Sequence, residues 1–279
     1  MRLPSETARR CLAPALLAAA VALSACGSSS KTSSQTSASG SSTNGSAATT
    51  KQPAPQSSGA IARDRALGAA GLLRASDFAS GWVATPRAKK TGHQPRLQDE
   101  AAKCLHVSIS QLGEHEPQEV ESPKFRGPSG ESASNSVTVR PTAAAAAKSF
   151  AVLENPRTPS CLTSIFGKLL GGELQRRAAK GKLPPGFSIG HPVVERLQFA
   201  PVADQSVAYR FSIPINTPAL KVKAYLDVIA VRAGRADTSF SFDGTIKPVA
   251  AGAESQLINA AIRRLQAAGA GVAGKTSSA

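Results

Sequence analysis

From Phe187 onward the apolar residues adopt a period of two and keep it through four consecutive runs, 187–199, 206–215, 220–232 and 236–247. In the second run Val207, Tyr209, Phe211, Ile213 and Ile215 share one face. In the third, Leu220, Val222, Ala224, Leu226, Val228 and Ala230 do the same. Strand side chains alternate between faces, so this spacing commits the segment to β-structure. The connections 201–205, 216–219 and 233–235 are short enough for hairpins, and the pattern predicts an antiparallel meander. Leu257, Ile258, Ala261, Ile262 and Leu265 then fall on one stripe of a final helix, which is expected to pack on the apolar face of the sheet.

The segment before Pro184-Pro185-Gly186 reads differently. Helical patterns cover 64–74 and 97–107, and an Ala-rich helix opens after Pro141 and runs to Leu153, where Asn155-Pro156 stops it. Leu162, Ile165, Phe166, Leu169 and Leu170 make a further helical face that Gly171-Gly172 is expected to end. Residues 114–131 read as an acidic Pro/Gly loop and 136–140 as one strand. Helices first, then antiparallel strands, then a closing helix predict an α+β fold. The expected form is an antiparallel four- to five-stranded sheet packed on one side by helices, a single domain spanning 61–268 with a disordered tail at 269–279.

The N-terminus carries an address. Arg2, Arg9 and Arg10 precede the apolar run 12–23, which is too short to span a bilayer and suits a signal sequence. It ends in Leu23-Ser24-Ala25-Cys26-Gly27, which resembles a bacterial lipobox. That resemblance implies removal of residues 1–25 and lipidation of Cys26. A multiply acylated residue anchors stably where one chain is marginal. The expected location is the extracytoplasmic face of the cell membrane, lipid-anchored. Residues 27–60 hold no Val, Ile, Leu, aromatic or acidic residue, and cannot bury enough apolar surface to offset their ordering entropy. With Cys26 they read as a disordered linker; as a coil the linker reaches about 30–35 Å.

Removal of the signal takes Cys11 with it and assigns Cys26 to lipid, leaving Cys104 and Cys161. In an exported protein such a pair defaults to a disulfide. The pair lacks the CxxC spacing of a metal site.

Three further stretches carry a family resemblance: Leu72-Leu73-Arg74-Ala75-Ser76-Asp77-Phe78-Ala79-Ser80-Gly81-Trp82, Ala203-Asp204-Gln205-Ser206-Val207-Ala208-Tyr209-Arg210, and Asp227-Val228-Ile229-Ala230-Val231-Arg232-Ala233-Gly234-Arg235. With the lipobox and Ser-rich linker, the chain resembles actinobacterial surface lipoproteins with a sensor-like α/β domain. Those are similar to the extracellular domain of PknH-type receptor kinases or to PsbP-like lipoproteins. The kinase-type domain is expected to hold two disulfides around a central cleft, and the exported part of this chain has cysteines for one. The resemblance implies binding or sensing, and carries over no ligand-binding residue.

Candidate chemistry is sparse. His93, His106, His115 and His191 have no zinc spacing, and no phosphate loop or GxSxG elbow occurs. No cofactor, metal ion or catalytic function is expected. Glu114, His115, Glu116, Glu119 and Glu121 form the densest ligand-like group but suit a solvated acidic loop. Asp77, Asp204 and Asp243 read as turn or cap residues. The formal net charge of +15 concentrates in Arg87, Lys89, Lys90 and Arg96, and in Arg176, Arg177, Lys180 and Lys182. Such charge is either plain solubilising surface or an attraction to anionic lipids and polymers. No aromatic residues interleave with it, and a nucleic-acid partner is not expected.

Two functions fit. In the first, the domain binds or senses an apolar or amphiphilic cell-envelope ligand between sheet and helices, with Trp82, Phe166, Phe187, Tyr209 and Phe211 as pocket lining. The same residues can instead fill a solid core. In the second, it is a non-catalytic interaction module that docks on an envelope protein or anionic polymer.

Overall fold

Alternation places β8 (Lys221–Ala233) at the heart of the molecule. It pairs antiparallel with β7 (Gln205–Asn216) from Gln205↔Arg232 to Asn216↔Lys221. On its other side it pairs with β9 (Ala236–Thr245) from Ala233↔Ala236 to Ala224↔Thr245. The computed structural model describes residues 57–87, 95–112 and 119–276. Cys26, the signal region and most of the Ser/Thr-rich linker lie outside the described residues, as do Lys89, Lys90, His93 and residues 113–118 of the acidic loop.

The fold is α+β, with an antiparallel sheet larger than expected. Among the described residues it has nine strands, numbered in chain order, arranged as β1-β3-β4-β9-β8-β7-β5, with β2 beside β4 and β6 beside β7. Four strands come from the first half: β1 (Val83–Thr85), β2 (Val120–Glu121), β3 (Lys124–Arg126) and β4 (Ser132–Val139). Three of these have only two or three residues, too few to show a period. The run 187–199 divides at Gly190-His191-Pro192 into β5 (Ser188–Ile189) and β6 (Val193–Leu197), where Pro192 has no N–H to continue a ladder.

Helices cover both faces, not one. On β8, Leu226 and Ala230 join a cluster with Phe150, Phe166 and Phe211, while Ile229 and Val231 join another with Leu257, Ile258 and Ile262. A central strand apolar on both sides needs cover on both sides. One layer is α1 (Ser58–Ala70) with α5 (Ala251–Thr276). The other holds α2 (Pro95–Leu105), α3 (Ala143–Leu153) and α4 (Thr158–Ala179). The stripe on α5 therefore packs against Phe240 and Phe242, on the side away from Tyr209 and Phe211.

The helix ends also differ from the pattern. Gly171-Gly172 does not end α4. Beyond the glycines Glu173 accepts from Arg176 and Arg177 one turn on, and these bonds hold its carboxyl below the usual range. At the far end, α5 runs through residue 268, where the loss of Leu and Ile had suggested a tail. Before α5 the chain turns a tight corner. A Cβ on Gly244 would stand 2.2 Å from the Lys247 carbonyl oxygen, and Ile246 takes a φ of 76°.

Buried polar groups fasten the α1/α5 layer. Asn135 of β4 accepts from Leu73 N–H at 2.9 Å and donates to the Gly71 carbonyl at 2.8 Å, which satisfies backbone left open where α1 ends. Arg264 of α5 pairs with Asp77 at 2.7 and 2.8 Å and donates to the Leu72 carbonyl. On the other layer, Cys104 and Cys161 form a disulfide that ties α2 to α4. Among the described residues, no helix is long and apolar enough to cross a membrane.

Candidate functional site

Serine and threonine alternate on β4 (Ser132, Ser134, Ser136, Thr138), and β9 answers with Asp237, Ser239, Ser241 and Asp243. The register sets them opposite one another as Ser132↔Asp243, Ser134↔Ser241, Ser136↔Ser239 and Thr138↔Asp237. Four successive cross-strand pairs on the face of the α2/α3/α4 layer are thus small and polar. The intervening residues Ala133, Val137, Phe240 and Phe242 face the opposite layer and belong to its core. Ser134 is 2% exposed and Asp243 3% exposed, burial that polar side chains tolerate only when hydrogen-bonded. Yet among the described residues no hydrogen bond engages the hydroxyls of Ser134, Ser136, Ser239 or Ser241. None of the four is enclosed, so each hydroxyl reaches solvent and water serves as its partner.

Each end of this floor holds a carboxylate with one oxygen engaged and one free. Asp243 Oδ2 accepts from Ser132 Oγ at 2.5 Å and from Lys124 Nζ at 2.7 Å, while its Oδ1 is enclosed without a partner. Asp237 Oδ2 accepts from Arg140 Nε at 3.0 Å, and its Oδ1 likewise has none. Burial pushes the Asp237 carboxyl above its ordinary range, against the pull of Arg140. The helix α3 packs over β8 and β9, and α4 over β6. The serines of β4 lie beyond those principal helix contacts.

Beside the floor, on the same sheet face, the surface turns apolar. Val207, Tyr209 and Phe211 of β7 and Leu226 and Ala230 of β8 pack under Phe150 and Phe166. The structure therefore brings together three of the five residues expected to line a pocket. Phe166 and Phe211 have ring centroids 4.9 Å apart. Tyr209 donates its hydroxyl to the Leu153 carbonyl, and burial holds that hydroxyl above the usual phenol range. Trp82 lies with the other core, 4.6 Å from the Phe78 ring, which in turn stacks on Phe125. Phe187 is half-buried and joins none of the clusters.

The opposite face holds a second polar centre, between α5 and the middle of the sheet. Arg210 of β7 grips Asp227 of β8 through two bonds of 2.8 and 2.6 Å. Glu254 of α5 is 2% exposed beside them, with Oε1 unpartnered. Burial, reinforced by the charge and hydrogen bond of Asp227, pushes its carboxyl to about 8. At neutral pH Glu254 thus keeps its proton.

Of the aspartates read as turn or cap residues, Asp77 accepts from the Arg74 N–H at 2.8 Å and Asp204 from the Gly234 N–H at 2.8 Å. Asp243 is no turn residue: it sits within β9 and ends the hydroxyl floor. The floor itself was absent from the expected site. Its signal is present in the alternation S-x-S-x-S-x-T and D-x-S-x-S-x-D, which a search for apolar periods passes over.

At one end of the sheet the turn between β7 and β8 exposes Leu220 at 56%, and Ile246 is 67% exposed nearby, its N–H bonded to the Lys223 carbonyl. Lys221, Lys223 and Lys247 surround them, exposed. Among the described residues these lysines have no ion pair, and no three His, Cys, Asp or Glu side chains gather as a metal centre requires. Comparison with models of known protein families and with curated proteins found no match.

Proposed function

We propose that this chain is a lipid-anchored extracytoplasmic protein whose domain binds or senses an amphiphilic cell-envelope molecule, without catalysing a reaction on it. The observation that carries this reading is the hydroxyl-lined strip of β4 and β9, ended on each side by a carboxylate with one unpartnered oxygen, lying on one sheet face beside the aromatic and aliphatic cluster of β7 and β8. Such adjacency suits a molecule with a polar part and an apolar part, and small-molecule sites pair apolar walls with a few converging polar groups. The disulfide supports an oxidising location, since such bonds persist outside the cytosol. The lipobox-like Cys26 supplies the anchor in this reading. The likeness to sensor-domain lipoproteins points the same way. Native mass spectrometry of the exported chain before and after organic extraction tests the proposal. A discrete mass lost on extraction is expected, and a clean unliganded mass from several detergent-free preparations overturns it.

A second reading, docking on an envelope protein or anionic polymer, is favoured by the tip where Leu220 and Ile246 stand among three unpaired lysines. Charge reversal at Lys221, Lys223 and Lys247 would abolish such docking, while leaving any extractable ligand in place.

A further inference from the structure

We infer that the tip of the sheet between β7 and β8 is a membrane-contact site, which seats Leu220 and Ile246 in the headgroup layer of an anionic phospholipid bilayer while its lysines meet the lipid phosphates. This gives the tip of the docking reading a partner of another class. Three stretches of chain converge there, 180–190, 212–224 and 244–253. The register joins the first two through Ser188↔Asn216 and the last two through Ala224↔Thr245, and Gly186 lies against Pro218. Together they hold Lys180, Lys182, Lys221, Lys223 and Lys247 and no acidic residue. Among the described residues none of these lysines has an ion pair. The nearest acids along the chain beyond these stretches are engaged: Glu173 by Arg176 and Arg177, Asp204 by Arg232, Asp227 by Arg210 and Asp243 by Lys124. Glu195 sits opposite Arg210 across the β6/β7 ladder, and Glu254 is buried.

Two large aliphatic side chains stand out of this basic field. Ile246 is 67% exposed and Leu220 56%, with Pro218 and Ala219 exposed beside Leu220. Both are held in place. Thr217 donates its N–H to the Leu220 carbonyl at 2.9 Å and accepts the Leu220 N–H on its hydroxyl oxygen at 3.0 Å. Ile246, tied to β8 through the Lys223 carbonyl, takes a φ of 76°, a left-handed backbone that a β-branched residue adopts only under strain. A strained side chain held out in water gains no burial for its cost, and strain of this kind marks sites of use. A soluble polyanion would engage the lysines and leave both aliphatic side chains in water. Protein interfaces are depleted in lysine, and this tip has five. A bilayer interface takes both kinds of group, since aliphatic side chains settle at the acyl boundary while lysine stems reach back to the phosphates.

The test takes the chain from residue 26 onward with Cys26→Ser, which keeps every described residue and has no acyl group of its own, and measures its sedimentation with vesicles. Phosphatidylcholine vesicles with roughly one-third phosphatidylglycerol are expected to bind it at least tenfold more tightly than phosphatidylcholine alone, at roughly 0.1 M salt, where surface charge acts over about 10 Å. Lys221→Gln, Lys223→Gln and Lys247→Gln together are expected to weaken that binding roughly a hundredfold, at about fivefold per lysine. Leu220→Ser with Ile246→Asn is expected to weaken it about tenfold with an unchanged or raised melting temperature, since Asn accepts the left-handed backbone that strains Ile246. Equal affinity for the two kinds of vesicle overturns the inference. So does an apolar variant that binds as well as its parent, or one whose melting temperature falls with its binding. Polyphosphate offered in place of vesicles separates the readings. Polyphosphate binding without vesicle binding overturns the lipid contact and leaves polymer docking standing, and failure of both overturns it and leaves the tip to a protein partner.

Discussion

The two faces of the central strands are finished in different ways. Under α1 and α5, strands β4, β9 and β8 present Ala133, Val137, Phe240, Phe242, Ile229 and Val231, and the helices close on them with Leu257, Ile258 and Ile262. Under α3 and α4 the same strands present serine, threonine and aspartate for half their width. One face gains its stability from burying hydrocarbon, at roughly 25 cal/mol per Å². The other lines these strands with hydroxyls and carboxylates, and encloses one oxygen each of Asp237 and Asp243 without a partner, which opposes folding. The closed face holds enclosed unpartnered atoms too, Thr238 Oγ1 and Glu254 Oε1, so the two faces differ in how far polar groups enter the sheet and not in whether they do.

That division is breakable in graded steps. Phe240→Ala on the closed face is expected to cost about 3–5 kcal/mol, read from urea unfolding of the folded chain; a cost under 1 kcal/mol would mean that this face is not the main core. Opening the Cys104–Cys161 bond, or Cys104→Ala with Cys161→Ala, is expected to cost up to roughly 4 kcal/mol for the 57-residue separation. The loss should show first in protease sensitivity of α2 and α4, with amides of β9 still protected in hydrogen exchange. Uniform loss of protection would show that the two layers do not open separately.

A smaller effect concerns Glu254. Its carboxyl stands near 8 in the folded chain, above its ordinary 4.5, so the folded state binds more protons than the unfolded state between those values. Stability is therefore greatest below about 4.5 with respect to this group and falls as pH rises through 8. Glu254→Gln, which keeps the shape and removes the titration, should flatten that fall and raise the melting temperature at pH 8 more than at pH 5. An unchanged pH slope would show that burial and the neighbouring Asp227 do not force the proton onto Glu254. The smallest expected change is on the open face. Ser134→Ala with Ser241→Ala should alter stability by no more than about 0.5 kcal/mol, because it removes hydroxyls that the fold itself does not use. A loss above 2 kcal/mol would make the floor a structural element.

The meander and the closing helix were legible because Val207 to Ile215 and Leu220 to Ala230 repeat an apolar residue every second position. Two things were hidden for physical reasons. Strands such as β2 and β3 are fixed by their neighbours and are shorter than any period. A strand apolar on both sides shows no clean alternation, so Ile229 and Val231 went unread as a second face, and with them the second helix layer. The floor was hidden differently: Ser132 and Ser134 carry no hydrophobic signal, and Asp243 looks like any aspartate beside a glycine. Only pairing with β4 shows what it faces. Among the aromatic residues, sequence alone did not separate packing from lining, since Phe166, Tyr209 and Phe211 use one apolar face for either.

The length and orientation of β8 set a lever arm. Asp64 of α1 pairs with Arg235 at the turn that ends β8, and α1 then advances to Asn135, part-way along the sheet. Lys221 and the exposed pair Leu220 and Ile246 lie at the other end of the same 13-residue strand, about 40 Å away at the usual rise. Any surface that holds the chain upstream of Ser57 therefore pulls on one pole of the domain, and the basic tip is carried at the opposite pole. A pull applied at that first pole would turn the basic tip away from the point of pull.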